Sequence, residues 1–243
     1  TTTTISLGAA LAELGRRVLL VDFDPQGGLS LGLGVNAHRL PLENTVYYAL
    51  LAPDANIDEI VLKSSVANLD FLPANKDLVG IEMKLSSDIS GHLYLKKALA
   101  PLRNEYDVIL IDCQPTMGRL AINALVASDE IIVPMQCEYF ALEGLSDLVN
   151  TIKQVHANLN QDLKIIGLLR VMFDARTALQ QQVSEQLISH FGDKVFKTII
   201  PRNVRLAEAP SFGVPGIIFD QSARGAQAYI QFGGEMVERI KTM

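Results

Sequence analysis

The chain alternates between two hydrophobic patterns. Short apolar runs rich in Val, Ile and Leu, without polar alternation, predict parallel strands that are covered by helices on both faces. Longer stretches with apolar residues three and four positions apart predict amphipathic helices. This order predicts an α/β fold built on a three-layer, doubly wound, mostly parallel sheet. We predict strands over residues 17–22, 68–72, 107–112, 130–134, 164–173 and 195–200, and helices over residues 4–14, 119–127, 142–158, 178–191 and 223–241, with short helices in 45–62 and mainly helix in 76–102.

The length and composition are those of one ordinary domain. The 243 residues contain no repeat, low-complexity tract or linker, so we expect a single domain over residues 1–243. No apolar stretch approaches the ~18–20 residues of a membrane span, and nothing resembles a secretory signal, which predicts a cytoplasmic protein without a membrane partner. The net charge of −6 disfavours nucleic-acid binding by the whole surface, because phosphate affinity comes from Lys and Arg. Any such binding is expected from a local patch.

The two cysteines, Cys113 and Cys137, each lie at the end of an apolar run. Two cysteines are too few for a disulfide framework. We therefore expect both side chains to be reduced, buried thiols.

Two of the predicted strands end in acidic residues. The apolar run 18–21 leads into Asp22 and Asp24, and the run 108–111 leads into Asp112. Ligands of parallel sheets bind beyond the carboxyl ends of the strands, so we expect these carboxylates to converge there. Several carboxylates in one place repel unless a cation or proton lies among them, and Mg²⁺ with a nucleotide phosphate is a common solution. The alternative is that each Asp caps the helix that follows it.

Several long stretches carry a family resemblance that covers essentially the whole chain. They are TTTTISLGAALAELGRRVLLVDFDPQG, VILIDCQP, LAINALVASDEIIVPMQCEYFALEGL, MFDARTALQQQV and FGDKVFKTIIPRNVRLAEAPSFG. The chain resembles the ParA/Soj partition ATPases, which are relatives of MinD in the deviant Walker A class of P-loop NTPases. The resemblance implies a P-loop NTPase-like fold and hydrolysis of ATP.

The sequence departs from this family at its beginning. Family members start with a strand and a loop of the form KGGVGK followed by Thr, whereas this chain starts at what corresponds to that Thr. In a P-loop, successive backbone N–H groups and a Lys hold the phosphates. We therefore expect that the sequence is N-terminally truncated, without the first strand and P-loop, and that in this form it does not bind ATP normally.

The resemblance assigns site residues for ATP or ADP and Mg²⁺. Thr1 corresponds to the Thr whose hydroxyl binds the metal, and Thr2 would lie near the α-phosphate. Asp24 corresponds to the acid that positions the attacking water at the metal site, and Asp112 to the Walker B acid, which holds the metal through water. Asp22 is expected to lie behind these residues, without contacting the metal itself. Phosphoryl transfer depends on positioning and charge neutralisation, for which these residue types are suited.

The resemblance also implies a DNA-binding surface in the C-terminal half. Arginines at the positions of Arg176 and Arg205 contact the DNA backbone in the family, and Arg224 is a further candidate. Without the resemblance, scattered arginines on an acidic protein are more often solvated surface residues.

A third implied feature is a contact with the adenine ring. The segment that contains Arg202 lies near the adenine in the family, with Pro201 and Met172 as possible ring contacts. Arg202 is therefore a candidate for the nucleotide or for DNA.

Three classes of function are open from the sequence. The first is a nucleoid-associated DNA-segregation ATPase that forms a homodimer on ATP binding, binds DNA nonspecifically and is stimulated by a ParB/Spo0J-type partner. The second is a MinD-like membrane-positioning ATPase, which requires a basic amphipathic C-terminal helix. The ending GGEMVERIKTM is short and mixed in charge, which disfavours it. The third is a truncated, non-catalytic interaction module.

Overall fold

The computed structural model describes residues 1–52 and 55–241. The helices are α1 (Thr2–Glu13), α2 (Gly28–Gly32), α3 (Val46–Leu51), α4 (Leu78–Ser87), α5 (Tyr94–Leu99), α6 (Arg119–Ala127), α7 (Ala141–Asn158), α8 (Ala178–Phe191), α9 (Val204–Glu208), α10 (Gly216–Phe219) and α11 (Arg224–Lys241). The strands are β1 (Val18–Phe23), β2 (Leu62–Lys63), β3 (Leu69–Leu72), β4 (Val108–Cys113), β5 (Glu130–Met135), β6 (Lys164–Phe173) and β7 (Val195–Pro201). The predicted α/β class is confirmed.

The strands that the structure describes form two sheets, where the sequence predicted one. The first has the order β2-β3-β1-β4 and the second the order β5-β6-β7. All neighbouring pairs are parallel except β2 with β3. The prediction missed β2, which has two residues and is too short to produce a hydrophobic pattern.

Strand β1 shows why the fold has three layers. All six of its residues are buried, and successive side chains point to opposite faces of the sheet. Val18 and Leu20 pack in a cluster with α1 and α11, whereas Leu19 and Val21 pack in a cluster with α4, α5 and α6. A strand covered on both faces needs no alternating polar positions, which is why residues 18–21 form an unbroken apolar run before Asp22.

Helices α1 and α11 join the two sheets into one core. The cluster that contains Leu20 of β1 also contains Ile166 of β6 and Phe196 of β7. Helix α1 lies close to β1 at Gly8, where an added methyl group would come within 2.6 Å of Leu20. The Thr3 and Tyr229 hydroxyl groups are 2.8 Å apart and link α1 to α11. The position of α1 therefore depends on both sheets.

The described strands differ in how their edges are protected. Glu235 of α11 accepts hydrogen bonds from the backbone N–H groups of Lys197 and Thr198, at 2.8 and 2.9 Å, and so closes the free edge of β7. An edge strand without such a partner leaves backbone groups available to other chains. Strand β4 also lies at the end of its sheet, but its residues 108–111 are only half-buried.

Most elements agree with the prediction, whereas two short ones, β2 and α2, were missed. Helices α6 and α8 and strand β6 have the predicted bounds, and Gly15 has the positive φ of +81° expected after a helix end. Helix α2 lies in a segment that the sequence predicted as a loop. No helix within the described residues is long and apolar enough to cross a membrane.

The expectation for the cysteines is half right. Cys137 is buried, as predicted, but Cys113 is exposed. The apolar run 108–111 suggested burial, whereas Cys113 is the last residue of β4, where the strand reaches the surface.

Candidate functional site

The two acid-bearing strand ends lie side by side. Strands β1 and β4 are paired in parallel, with Asp22 opposite Asp112. The backbone N–H of Asp24 is 3.4 Å from Asp22 Oδ1. The structure therefore places Asp22 and Asp112 side by side at the carboxyl ends of the strands, as predicted, and Asp24 two residues further along the chain. The capping alternative is wrong, because the N-cap residues of α2 and α6 are Gly27 and Gly118.

Asp112 is held by two hydroxyl groups at the start of α1. Thr1 Oγ1 donates to Asp112 Oδ2 at 2.8 Å, and Thr4 Oγ1 donates to Oδ1 at 2.8 Å. Asp112 is buried, so both carboxylate oxygens need such donors. Thr4 was not among the site residues predicted from the sequence. Its spacing from Thr1 places both on one helix face, which is the signal that could have identified it.

Thr2 differs from its neighbours. It is the first residue of α1, its side chain is exposed, and it makes no hydrogen bond with any side chain in the described ranges. Its backbone N–H belongs to the first turn, where helix N–H groups have no partner within the helix. Thr2 therefore follows Thr1 in the chain but forms no hydrogen bond with the aspartate side chains that the structure describes.

Asp22 is fully buried, and Ser30 donates hydrogen bonds to its carboxylate. The Ser30 backbone N–H and hydroxyl both donate to Asp22 Oδ2, at 2.8 and 2.6 Å. Burial raises the pKa of Asp22 to about 7; the Asp112 charge adds to this rise, and the hydrogen bonds from Ser30 oppose it. Ser30 lies eight residues after Asp22, a distance at which the sequence carries no signal of contact.

Asp24 lies in a tight turn that leads into α2. Its Oδ1 accepts the Gln26 backbone N–H at 2.9 Å, and its other oxygen accepts no hydrogen bond from the described residues. Gly27 has a φ of +64°, and an added methyl group there would come within 2.8 Å of the Ala74 carbonyl oxygen. A side chain at position 27 would therefore strain this turn, which is why glycine is present there.

The donor set suits a magnesium ion that is completed by water and phosphate. No group of three or more His, Cys, Asp and Glu side chains within residues 1–52 and 55–241 could hold a metal by itself. The Thr1 hydroxyl group donates a hydrogen bond to Asp112, so the lone pairs of Thr1 Oγ1 are available to a cation. Mg²⁺ is usually bound by one or two protein oxygens, with waters and substrate phosphates as its other ligands.

The predicted adenine contacts lie together at the end of the second sheet. Phe173 pairs with Pro201 where β6 and β7 end, and the Arg202 backbone N–H donates to the Phe173 carbonyl at 3.2 Å. Met172 is 38% exposed and has a φ of +52°. A left-handed conformation in a non-glycine residue costs free energy and is found more often at ligand sites than elsewhere.

The arginines proposed for DNA lie at the surface next to acidic residues. Arg176 Nε and Nη2 donate to the two oxygens of Asp174, at 2.9 and 2.8 Å. These hydrogen bonds hold the pKa of Asp174 well below its usual range, and the charge of Arg202 contributes to the same effect. Arg176 therefore forms an ion pair with Asp174 at the surface.

The other two arginines have different surroundings. Arg205 contacts Glu208 at 2.9 Å and Asp220 at 3.5 Å. Arg224 is the exposed first residue of α11 and forms no ion pair with the part of the chain that the structure describes. Both remain accessible to a large anionic partner.

Comparison with known proteins places the chain in a family. Residues 1–165 match the AAA_31 family, described as an AAA domain. The chain is 50% identical over 236 residues to the sporulation initiation inhibitor protein Soj of Bacillus subtilis, covering 97% of this chain and 92% of that protein. The chain belongs to the ParA/Soj family. This ParA/Soj protein is also 47% identical over 239 residues to the chromosome-partitioning ATPase Soj of Treponema pallidum, covering 98% and 92% of the two chains.

A solved structure supports the nucleotide and metal assignment for the family. Cobyrinic acid a,c-diamide synthase from Mycobacterium smegmatis, crystallised with an ATP analogue and magnesium, is 36% identical with a TM-score of 0.84. The match covers 99% of this ParA/Soj chain and 89% of that one. The predicted P-loop NTPase-like fold is confirmed. The expected N-terminal truncation stays a prediction.

Proposed function

We propose that this protein is a DNA-segregation ATPase. In this proposal it binds ATP and Mg²⁺ at the carboxyl ends of β1 and β4, dimerises when ATP is bound and then binds DNA without sequence preference. A ParB/Spo0J-type partner stimulates hydrolysis and so releases the DNA. Such a protein would act in the cytoplasm, on the nucleoid.

The observation that carries the proposal is the set of contacts around Asp112. Its two oxygens accept hydrogen bonds from the Thr1 and Thr4 hydroxyl groups, and Asp22 lies opposite it on the neighbouring strand. Carboxylates and hydroxyls at the carboxyl ends of parallel strands form the kind of site that binds a metal-bound phosphate. The relatives named Soj and the nucleotide-bound neighbour support the same conclusion.

Each residue has a defined task in this proposal. Thr1 and Asp112 would hold a Mg²⁺ ion, Thr1 through its hydroxyl group and Asp112 through water. Asp24 has one oxygen fixed by the Gln26 N–H, and its second oxygen holds the attacking water. Asp22, with its pKa raised to about 7, carries a reduced negative charge at neutral pH and so limits repulsion with Asp112. When bound, Mg²⁺ neutralises the charge that develops on the phosphate oxygens.

The substitution Asp24→Ala tests the proposal in the full-length gene product. Because Asp24 is proposed to act on the water, the variant should retain ATP binding, measured with a fluorescent ATP analogue. It should lose hydrolysis by about 100-fold or more, measured as phosphate release. Asp162→Ala, which removes an exposed acid, is the control and should leave both unchanged.

Two outcomes contradict the proposal. Normal turnover in the Asp24→Ala variant would remove Asp24 from the mechanism. A wild-type protein that binds no ATP at millimolar concentration would instead support the non-catalytic interaction module.

A further inference from the structure

A pocket of about 610 Å³ lies at the end of the first sheet that is opposite to the candidate site. Its walls are the turn between β2 and β3 and the residues just before β1 and β4, and they include Arg17, Lys63, Asp70, Glu105 and Tyr106. The candidate site lies at the carboxyl ends of β1 and β4, whereas this pocket lies at their amino ends. Its volume is in the range of pockets that hold small molecules, ~300–1,000 Å³.

Asp70 gives the pocket a carboxylate that is only half matched. The side chain is 12% exposed, and its Oδ2 atom accepts hydrogen bonds from Lys63 Nζ at 2.6 Å and from the Tyr106 hydroxyl group at 2.8 Å. Burial and the contact with Asp70 raise the pKa of Tyr106 well above its usual range, so its hydroxyl group stays protonated and remains a donor. The Oδ1 atom of Asp70 accepts no hydrogen bond from the residues that the structure describes. A largely buried acceptor without a donor favours a ligand that supplies one.

Two cationic side chains on the pocket walls have unused donors. Lys63 is 81% exposed, and only one of its N–H groups is needed for the contact with Asp70. Arg17 donates to Asp107 from Nε and Nη2, at 3.3 and 2.8 Å, and its Nη1 atom donates to none of the described residues. The pocket therefore offers cations as well as carboxylates.

The turn between β2 and β3 adds backbone donors. The N–H groups of Ser65, Ala67 and Asn68 form no hydrogen bond within residues 1–52 and 55–241. Asn68 has a φ of +63°, and its carbonyl oxygen accepts the Val18 N–H at 2.8 Å, which ties the turn to the start of β1. Successive N–H groups next to a left-handed residue form concave arrangements that bind anions.

We propose that this pocket binds a small zwitterion with an ammonium and a carboxylate group, which is the chemistry of a free amino acid. The ammonium group would donate to Asp70 Oδ1 and face Glu105. The carboxylate group would pair with Lys63 and Arg17 and with the N–H groups of the turn. Charge complementarity selects this ligand, because Asp70 and Glu105 repel a simple anion and Lys63 and Arg17 repel a simple cation. A zwitterion forms charge-assisted hydrogen bonds with both sets.

This binding does not depend on the proposed ATPase function. Val18 begins β1 beside the pocket, and Asp22 lies four residues further along the same strand. At ~3.3 Å per strand residue, about 13 Å separate the two positions. The two sites therefore do not overlap, and the binding of an amino acid and of ATP can be measured in the same sample.

Titration calorimetry of the full-length protein with each of the standard amino acids tests the proposal. At least one of them should bind and should raise the Tm, because a ligand of the folded state stabilises it. Its N-acetyl and its amide derivatives each lack one of the two charges and should bind about ten-fold or more weakly. Inorganic phosphate and putrescine, a simple anion and a simple cation, should not displace it.

Substitutions in the pocket make the test specific. Lys63→Gln removes an exposed cation and should weaken amino-acid binding about ten-fold, and Asp70→Asn should weaken it at least as much. Should Asp70→Asn fail to fold, Glu105→Gln replaces it, with a smaller expected loss. Lys153→Gln, which removes an exposed lysine on α7, is the matched control and should bind as the wild type does. ATP binding should be unchanged in all variants, so that failure of the ATPase proposal is seen separately.

Three results would overturn the inference. The first is that no amino acid binds to the wild-type protein at millimolar concentration. The second is equal binding of the amino acid and of its singly charged derivatives, or its displacement by phosphate or putrescine alone. The third is unchanged binding in Lys63→Gln, or an equal loss in Lys153→Gln, which would assign the binding to another part of the surface.

Discussion

The acid-bearing sheet edge and the arginine-bearing surface are built in opposite ways. Asp22 and Asp112 are buried, and side chains from α1 and α2 fix their oxygens with hydrogen bonds. Arg176 and Arg205 are exposed and are paired with acids that belong to the same surface. Buried polar groups must be matched in the folded protein, whereas exposed ion pairs contribute ~0–1 kcal/mol to stability.

This difference separates the effects of substitution in the two regions. A change at the sheet edge alters stability and chemistry together, because the same hydrogen bonds hold the fold and position the site. A change at the arginine surface alters the charge offered to a partner with little effect on stability.

Removal of the Asp112 carboxylate should have the largest effect. In an Asp112→Ala variant, the hydroxyls of Thr1 and Thr4 lose their acceptor and the metal loses its support, so we expect ATP turnover to fall about 1,000-fold, or ~4 kcal/mol. Phosphate release under saturating ATP measures this. Thr4→Val removes one hydrogen bond and should have a much smaller effect. Equal losses in the two variants would contradict the central role of Asp112.

Stability should depend on pH through Asp22. Its pKa is about 7 in the folded protein and 3.8 in the reference state, so its contribution is fully present below pH ~4 and is lost as the pH rises to ~7. At ~1.4 kcal/mol per pH unit, the loss reaches ~4 kcal/mol.

The substitution Asp22→Asn isolates this effect from other titrating groups. The free energy of unfolding, measured in urea at pH 4 and at pH 7, should fall less with pH in the variant than in the wild type. Identical changes in the two proteins would contradict the assignment to Asp22.

Loss of the Ser30 hydroxyl should have an intermediate effect. Ser30→Ala removes a 2.6 Å hydrogen bond to buried Asp22 and should lower the free energy of unfolding at pH 7 by ~1–3 kcal/mol. Ser222→Ala is a matched control, because its hydroxyl donates at 2.7 Å to Asp220 at an exposed site. A control that loses as much stability as Ser30→Ala would show that burial does not set the cost.

Changes at the arginine surface should affect DNA affinity without affecting stability. Arg176→Glu should weaken ATP-dependent binding to nonspecific duplex DNA about ten-fold, whereas Asp174→Asn frees Arg176 and should strengthen it. Filter binding over a range of salt concentrations measures both.

The control for this prediction is Arg103→Glu. Arg103 is also an exposed arginine in an ion pair, with Asp129, but it lies outside the proposed surface. Unfolding free energies should stay within ~0.5 kcal/mol of the wild type in all three variants. A loss of DNA binding in Arg103→Glu equal to that in Arg176→Glu would mean that net charge, and not a local surface, determines affinity.

Particular elements illustrate what could be predicted. The long segments of β6, α6 and α8 were predicted with their bounds, because a sustained hydrophobic period identifies an element. Strand β2 and helix α2 were missed because elements of two and five residues are too short for a hydrophobic pattern to repeat. The division into two sheets was missed because hydrophobic patterning does not specify which strands pair.

The candidate site follows the same rule. Asp22, Asp24 and Asp112 were predicted from their positions after apolar runs, and Thr1 from the family resemblance. Ser30 was not predicted, because its importance depends on a contact with Asp22 that forms only in the folded chain.

The amino-acid sequence is enough to predict the α/β class, the order of the main elements and the residue types at the strand ends. These depend on local periodicity and on the chemistry of single side chains. The folded structure was needed to show that Thr4 and Ser30 hold the carboxylates, that Asp22 has a raised pKa and that Arg205 pairs with Asp220. Burial and electrostatic coupling depend on distances between residues that the chain brings together only when it folds.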